Sequence, residues 1–395
     1  MKAPIKYQVL LLALTTFVAG ANEYVLSGTL DLVSRGLGTP VAMTGQLITI
    51  YALVYGLCVP IVIALTSHLS RRTVLIASMS LYAVVSGLCF FVDSFGPFVL
   101  MRVLQALSGG VAVVSALSTA ATLAGPGRQG RAIATVIMGF TLSLVVAVPI
   151  GREISLRFGW NSVFLVIGLL GLITALGQRW MLPELSPAAT TPLRQQLAML
   201  KHPAVAGGLL VTVLWMAGYV ITYSYLTPYL IQVQHVPGAW VSPLLLLFGL
   251  ASLAGTRIGG SYTDRHGHHA TLVTAKILQA LFLGALALLA LILPQGSIVI
   301  IAIVLILWSL TAWACGPSQQ VRVASLDAET SGVLVALNQS SMQIGIAAGS
   351  AFGGLATGLV GLASLPWLSA AAVIIALVLM IGLRGAPVTV RVSAR

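Results

Sequence analysis

Charge is what this sequence has least of: 7% of its 395 residues are charged, with 8 Asp and Glu against 20 Lys and Arg. A water-soluble domain carries about 25% charged residues, so a soluble globular protein is excluded at the outset. Cysteine is nearly absent as well. Cys58, Cys89 and Cys315 stand singly in apolar stretches without metal-ligand spacing and read as packing residues. The one histidine cluster, His266, His268 and His269, has no acid or thiol beside it except Asp264, so it reads as a solvated loop and no metal is expected. No glycine-rich loop ends in Lys-Ser or Lys-Thr, which excludes an ATP site in this chain, and hydrolytic or redox constellations are missing. An enzyme is therefore not expected, nor any cofactor. The net charge of +12 is thinly scattered, with no basic face interleaved with aromatics, so no nucleic-acid partner is expected.

What is there instead is apolar length. Hydrophobic residues make up 58% of the chain and fall into twelve runs, each near the roughly 20 residues that a bilayer crossing needs. The runs cover approximately 7–32, 44–65, 73–92, 97–124, 132–150 and 160–182, then 204–231, 241–262, 270–293, 297–317, 331–358 and 364–383. An all-α, multi-pass membrane protein embedded in a lipid bilayer follows. A polar, proline-punctuated segment at 184–203, with a short helix expected at 193–200, divides the chain into halves of six spans. The expected organisation is an N-terminal six-helix bundle (1–183), a cytoplasmic linker (184–203), a C-terminal six-helix bundle (204–384) and a tail (385–395).

Sixteen Lys and Arg, from Lys2 and Lys6 through Arg71, Arg72 and Lys276 to Arg395, fall on the termini and alternate loops. The opposite loops hold Arg35, Arg152 and Arg157, with Arg102 inside the fourth span. The asymmetry places both termini in the cytoplasm of a cell (inner) membrane. Lys2, Lys6 and Ala19-Gly20-Ala21 also suit a cleavable signal peptide, but removing that segment would leave an odd number of spans, and the apolar run resumes at Tyr24.

Glu23 is read as the only carboxylate deep in a span, and an ionisable group in hydrocarbon is by default functional. The helical repeat sets Thr16, Gly20, Glu23 and Ser27 on one small, polar stripe, expected to face a cavity. Burial disfavours the charged carboxylate, so a cavity opening to each compartment in turn could load and release a proton there. The plainer reading is a carboxyl locked in a structural hydrogen bond. Arg102, expected at similar depth on the fourth span, is its expected counterpart in proton coupling, against the plainer reading of an arginine that snorkels outward.

Substrate contacts are expected from polar and aromatic residues on stripes facing a central cavity. These are Asn22, Tyr51, Tyr55, Gln105 and Met138 in the first half, and Trp215, Tyr219, Tyr223, Trp308, Asn338, Gln339 and Gln343 in the second. Each aromatic singly suits helix packing or interfacial anchoring as well, and each Asn or Gln interhelical hydrogen bonding.

The two halves repeat at the turn after their second span. In the second half, Gly260 to His269 reads G-x-x-x-D-R-x-G, with Asp264, Arg265 and Gly267 at the key positions. Its glycines suit a sharp turn between helix ends, and its Asp suits pairing with an adjacent helix end. Here the chain resembles the major facilitator superfamily. The equivalent first-half segment, 63–72, keeps Arg71 and Arg72 but has Ser67 for the Asp and Ser70 for the second Gly, so a latch there has to be weaker or use other residues.

Three further segments are similar to the drug:proton antiporter family with twelve spans, in particular its arabinose and sugar efflux-like members. They are Asn22 to Gly28 on the first span, Arg102 to Gly110 on the fourth, and Gly139 to Gly151 with Pro149 on the fifth. Ala106 and Val148 depart from that family's glycines.

The resemblance implies a monomeric, proton-coupled secondary transporter whose two bundles rock about a central site and export a small organic molecule, drug-like or sugar, at the expense of the proton gradient. Proton-independent facilitated exchange of sugars or nucleosides is the alternative within transport. A non-transporting membrane sensor or scaffold is the alternative of another class, disfavoured because no soluble domain accompanies the spans.

Overall fold

In hydrocarbon no water is available to backbone N–H and C=O groups, so a chain this apolar has helix as its only open architecture. The computed structural model describes residues 4–125, 128–187, 193–292, 297–327 and 330–383, and among these all regular structure is helical. The expected tail at 385–395 and residues 188–192 of the expected linker lie outside the described residues.

The chain forms two compact units, Met1–Thr190 and Thr191–Arg395. The first holds α1 (Ile5–Gly36), α2 (Val41–Leu65), α3 (Arg71–Leu88), α4 (Phe95–Ala124), α5 (Gln129–Phe158) and α6 (Ser162–Met181). The second holds the short α7 (Leu193–Met199), α8 (Pro203–Tyr223), α9 (Leu226–Gln232), α10 (Gly238–Ile292), α11 (Ile298–Ala324), α12 (Ser331–Leu359) and α13 (Leu365–Gly382).

Ten helices among the described residues are long and apolar enough to cross a membrane. Two features account for the difference from twelve. The 55-residue α10 covers the eighth and ninth expected spans, and α12, the eleventh, is 29 residues long but made less apolar by its Ser, Asn, Gln and Gly.

The expected turn at 260–269 narrows to one residue. Helical hydrogen bonding runs through Gly260, and the break comes at Gly267, whose φ of 82° and ψ of 157° suit a residue without a Cβ. Past the break, the Thr271 hydroxyl donates back to the Gly267 carbonyl at 3.0 Å. Below the break, Thr263 shares a 2.6 Å hydrogen bond with Ser318 of α11.

The outward faces of both units are apolar, and polar side chains are held inside among apolar ones. Leu53, Leu57 and Ile61 repeat every fourth residue along the exposed face of α2, and Leu169, Leu172 and Leu176, at steps of three and four, line that of α6. Gln178, Thr119, Gln319 and Lys276 are buried. This is the distribution of a protein solvated by lipid, where side-chain packing and interhelical hydrogen bonds hold helices together.

The α1–α5 seam shows how. A Cβ added at Gly139 would collide with the Ala13 backbone carbonyl, and one at Gly20 with the Ser143 hydroxyl. Thr16 donates across the same seam to the Val136 carbonyl. The two backbones therefore touch only because these positions lack a side chain. Elongating Gly139 has to part the helices, and overpacking costs about 1–3 kcal/mol or more. Gly139→Leu should thus lower the melting temperature of the detergent-purified protein by several degrees, whereas Gly130→Leu, which meets open space on the same helix, should leave it unchanged. Equal melting of the two variants would show that the seam is not close-packed.

Candidate functional site

In the first unit the expected residues converge on Arg102, which α4 carries fully buried. Its Nη1 donates to the Asn22 side-chain oxygen at 2.9 Å, to Gln105 Oε1 at 3.2 Å and to the Asn22 carbonyl at 3.4 Å. Arg102 and Gln105 reach one another because a three-residue step returns to the same face of α4. The guanidinium also sits over the Tyr51 ring, 4.5 Å from its centroid, so a π face and neutral carbonyl dipoles together solvate the cation. Gln105 passes the network on to Ser86 at 3.2 Å and Cys89 at 3.3 Å. Tyr55 packs edge-on to Tyr51, with ring centroids 6.4 Å apart.

Glu23, 6% exposed, follows Asn22 on α1, and its carboxylate lies within electrostatic reach of Arg102, Tyr51, Tyr55 and Tyr82. Asn22, Glu23, Tyr51, Arg102 and Gln105 thus form one buried group, with the half-buried Tyr55 packed against Tyr51. Met138 does not join it, since it stands 53% exposed on α5. The stripe expected to face a cavity is also corrected in part: Thr16 and Gly20 are consumed by the α1–α5 seam, because a helix face of small residues is what a neighbouring backbone needs for close approach.

A second charged centre escaped the sequence reading. Glu23 is not the only deeply placed carboxylate, because Asp31, two turns further along α1, is buried too. Arg152 was expected in an outer loop. It lies inside α5, which runs on to Phe158, and is 2% exposed. Its Nη1 and Nη2 bind Asp31 at 2.6 and 3.2 Å, and Nη1 also donates to the Gly28 carbonyl at 2.9 Å. Arg35 reaches the same carboxylate from the exposed side at 3.1 Å. The available signal was the four-residue repeat Glu23, Ser27, Asp31, which continues one face of α1.

The motif residues take three different roles. Arg71 donates to the Ser118 carbonyl at 2.8 Å and to Thr122, tying α3 to α4. Arg72 pairs with Glu184 and donates to the Arg179 carbonyl, so the first-half latch is built from the acidic residue that follows α6. Ser70, in the place of a motif glycine, caps α3 through the Thr73 N–H at 3.2 Å. In the second unit Asp264 and Arg265 are exposed beside Gly267, and neither enters an ion pair among the described residues. Gly139 and Gly151 serve α1–α5 packing, with Val25 against Gly151, and Pro149 is buried within α5, where it removes one helical hydrogen bond.

In the second unit an aromatic wall forms. Tyr219 and Tyr223, one turn apart on α8, stack at 5.1 Å. Phe248 lies 5.5 Å from Tyr223 and 5.1 Å from Trp308, and Trp313 donates to the Tyr219 hydroxyl at 3.3 Å. Phe248 and Trp313 were missed because a lone aromatic in an apolar run carries no periodic signal.

Asn338 accepts from Thr212 at 2.7 Å, and Gln319 donates to that same hydroxyl at 2.7 Å, so Asn338 joins an interhelical hydrogen-bond network. Gln343 is buried on α12, and Gln339 is exposed, in contact with Gln320 at 3.4 Å. Trp215 is buried on α8 with the ammonium of Lys276 5.5 Å from its ring centroid. Lys276 was expected in a cytoplasmic loop, but α10 carries it inside, 0% exposed.

Residues 12–350 match the family profile of the Major Facilitator Superfamily. The chain is 42% identical over 372 residues to an uncharacterized MFS-type transporter of Bacillus subtilis (strain 168), YbcL, covering 94% of each protein. It is 29% identical over 350 residues to YdhP, an inner membrane transport protein of Escherichia coli (strain K12), covering 89% of this chain and 88% of that one. Among solved structures it resembles a D-xylose-proton symporter with TM-score 0.79 at 14% identity, covering 95% of this chain and 97% of the other. A bacterial homolog of the human lysosomal transporter Spinster, inward-facing and unoccupied, matches with TM-score 0.73 at 16% identity over 98% of this chain and 100% of the other. At such identities these two structures speak for the fold alone.

The Asp31–Arg152 pair makes a direct prediction. Breaking a buried pair from one side costs about 3–5 kcal/mol because a charge is stranded, whereas replacing both partners is far cheaper. Asp31→Asn should melt well below wild type, and Arg152→Met added to it should restore most of the loss. Additive losses in that double-mutant cycle would show that the two residues are not coupled.

Proposed function

This chain belongs to the Major Facilitator Superfamily and is a multi-pass membrane transporter of that type, and from this premise we propose that it is a proton-coupled exporter of a small organic molecule, drug-like or sugar. It works by alternating access in the cell (inner) membrane, with both termini cytoplasmic. One observation carries the reading: Glu23, a buried carboxylate, sits within the field of an arginine whose hydrogen-bond acceptors, Asn22 and Gln105, are neutral.

Neutral acceptors stabilise the Arg102 cation without cancelling its charge. Protonating Glu23 therefore changes the net charge of the group by one unit. In a low-dielectric interior such a change is large enough to favour one arrangement of the surrounding helices over another. Tyr51, whose ring centroid lies 4.5 Å from the Arg102 guanidinium, and Tyr55 beside it are the surfaces through which a bound molecule would feel that change. The motifs on α1, α4 and α5 that resemble drug:proton antiporters support export as the direction, with proton entry from outside and release to the cytoplasm. The scattered basic residues of the termini and alternate loops support the orientation.

Glu23→Gln keeps the shape of the side chain and removes its proton chemistry. In proteoliposomes with an imposed pH gradient, this variant should lose uphill substrate movement by at least about a hundredfold, the scale of removing an essential proton-transfer group. Its melting temperature should stay near that of wild type. Uphill transport at the normal rate would remove Glu23 from the mechanism.

A further inference from the structure

The second unit buries a cation that enters no ion pair among the described residues. Lys276 lies wholly inside, on the segment of α10 that follows the Gly267 break. Between Pro203 and Gly382 the sequence contains three carboxylates, Asp264, Asp327 and Glu329. Asp264 is exposed in the turn before Lys276, Asp327 follows α11 and accepts from Thr330 at 2.6 Å, and Glu329 lies outside the described residues. The titratable groups that act on Lys276 are instead Cys315 and Arg322, both on α11, and the second of these adds positive charge.

The neighbourhood is rich in donors. Among the described residues, Lys276 Nζ, Gln279 Nε2, Trp215 Nε1 and Trp308 Nε1 are all buried without a hydrogen-bond acceptor, and Gln279 Oε1 is the one buried acceptor among these side chains that lacks a donor. Gln279 stands one turn from Lys276 on the same face of α10. Trp215 holds its ring 5.5 Å from the ammonium and precedes Tyr219 by one turn of α8, which makes it continuous with the aromatic wall of Tyr219, Tyr223, Phe248 and Trp308. A buried donor left unmatched is expensive, and a buried ammonium with an unmatched amide one turn away and an indole ring 5.5 Å from it is the complement of an anion.

We propose that Lys276, Gln279 and Trp215 form the receptor for an acidic group of the transported molecule, so that the substrate is an organic acid or zwitterion whose flat apolar body lies along the aromatic wall. The acidic group supplies the counter-charge that Lys276 does not find among the described residues, and the wall takes the ring. The word substrate rests on the transport reading above, whereas the binding itself needs neither a membrane potential nor Glu23.

The test uses full-length protein in detergent, with indole-3-acetate and benzoate as probes and their uncharged isosteres, indole-3-acetamide and benzamide, as controls. Binding is read by thermal shift and by tryptophan fluorescence. In wild type the acids should bind at least about tenfold tighter than the amides, as charge-assisted hydrogen bonds require. Lys276→Met should abolish that preference while melting no lower than wild type, since it removes a buried charge and keeps the volume. Lys276→Arg should retain the preference, and Trp215→Phe, which keeps a ring but loses the Nε1 donor, should weaken it several-fold.

Binding is read in detergent without a gradient, so loss of the acid preference speaks against the receptor, whereas loss of uphill transport with that preference intact speaks to proton coupling alone. Equal affinity for acids and amides in wild type, no binding of either acid, or a preference that survives Lys276→Met would overturn the proposal.

Discussion

A polar side chain carried into hydrocarbon has only the protein to answer it, and α1 is where this constraint presses hardest. Over ten residues this helix brings in Asn22, Glu23 and Asp31, and each is met by groups from other helices. Arg102 comes from α4 to Asn22 and into the field of Glu23, and Arg152 comes from α5 to Asp31. Cations and carboxylates are costly apart and tolerable together, so the positions of α4 and α5 against α1 are tied to these meetings.

Close packing supplies what electrostatics cannot. Lipid tails offer no hydrophobic drive toward association, since a leucine is as well solvated by acyl chains as by another leucine. Gly20 and Gly139 instead let two backbones touch, which brings many weak contacts into range and sets the register in which Thr16 finds the Val136 carbonyl. The same register places Arg152, thirteen residues after Gly139, level with Asp31. Seam and ion pair thus reinforce one alignment of α1 and α5, and neither would hold it as sharply alone.

The two units use polarity differently. The first carries carboxylates and arginines in its interior, together with neutral dipoles that leave the Arg102 charge intact. The second carries one buried lysine, a wall of stacked rings, and a neutral Thr212, Gln319 and Asn338 network. A proton-handling role suits the former and a recognition role the latter. Its rings offer apolar area, and its unmatched donors offer selectivity for charge.

Fold class, the helical segments and the break near 267 were legible from the amino acids, because hydropathy over about 20 residues and a glycine after Asp-Arg are local properties that bilayer thickness and backbone sterics translate directly into structure. Much of the candidate group around Arg102 was legible for the same reason, since each member is a rare polar residue in an apolar run. The pairing of Asp31 with Arg152 across 121 positions, the burial of Lys276 and the latch between Arg72 and Glu184 were not. A charge near the end of an apolar stretch looks the same to a hydropathy pattern whether it reaches for water or turns inward. Only the neighbouring helices determine which of the two lowers its energy. The chain by itself thus determined which segments enter the membrane, and tertiary packing decided which of their charges found partners there.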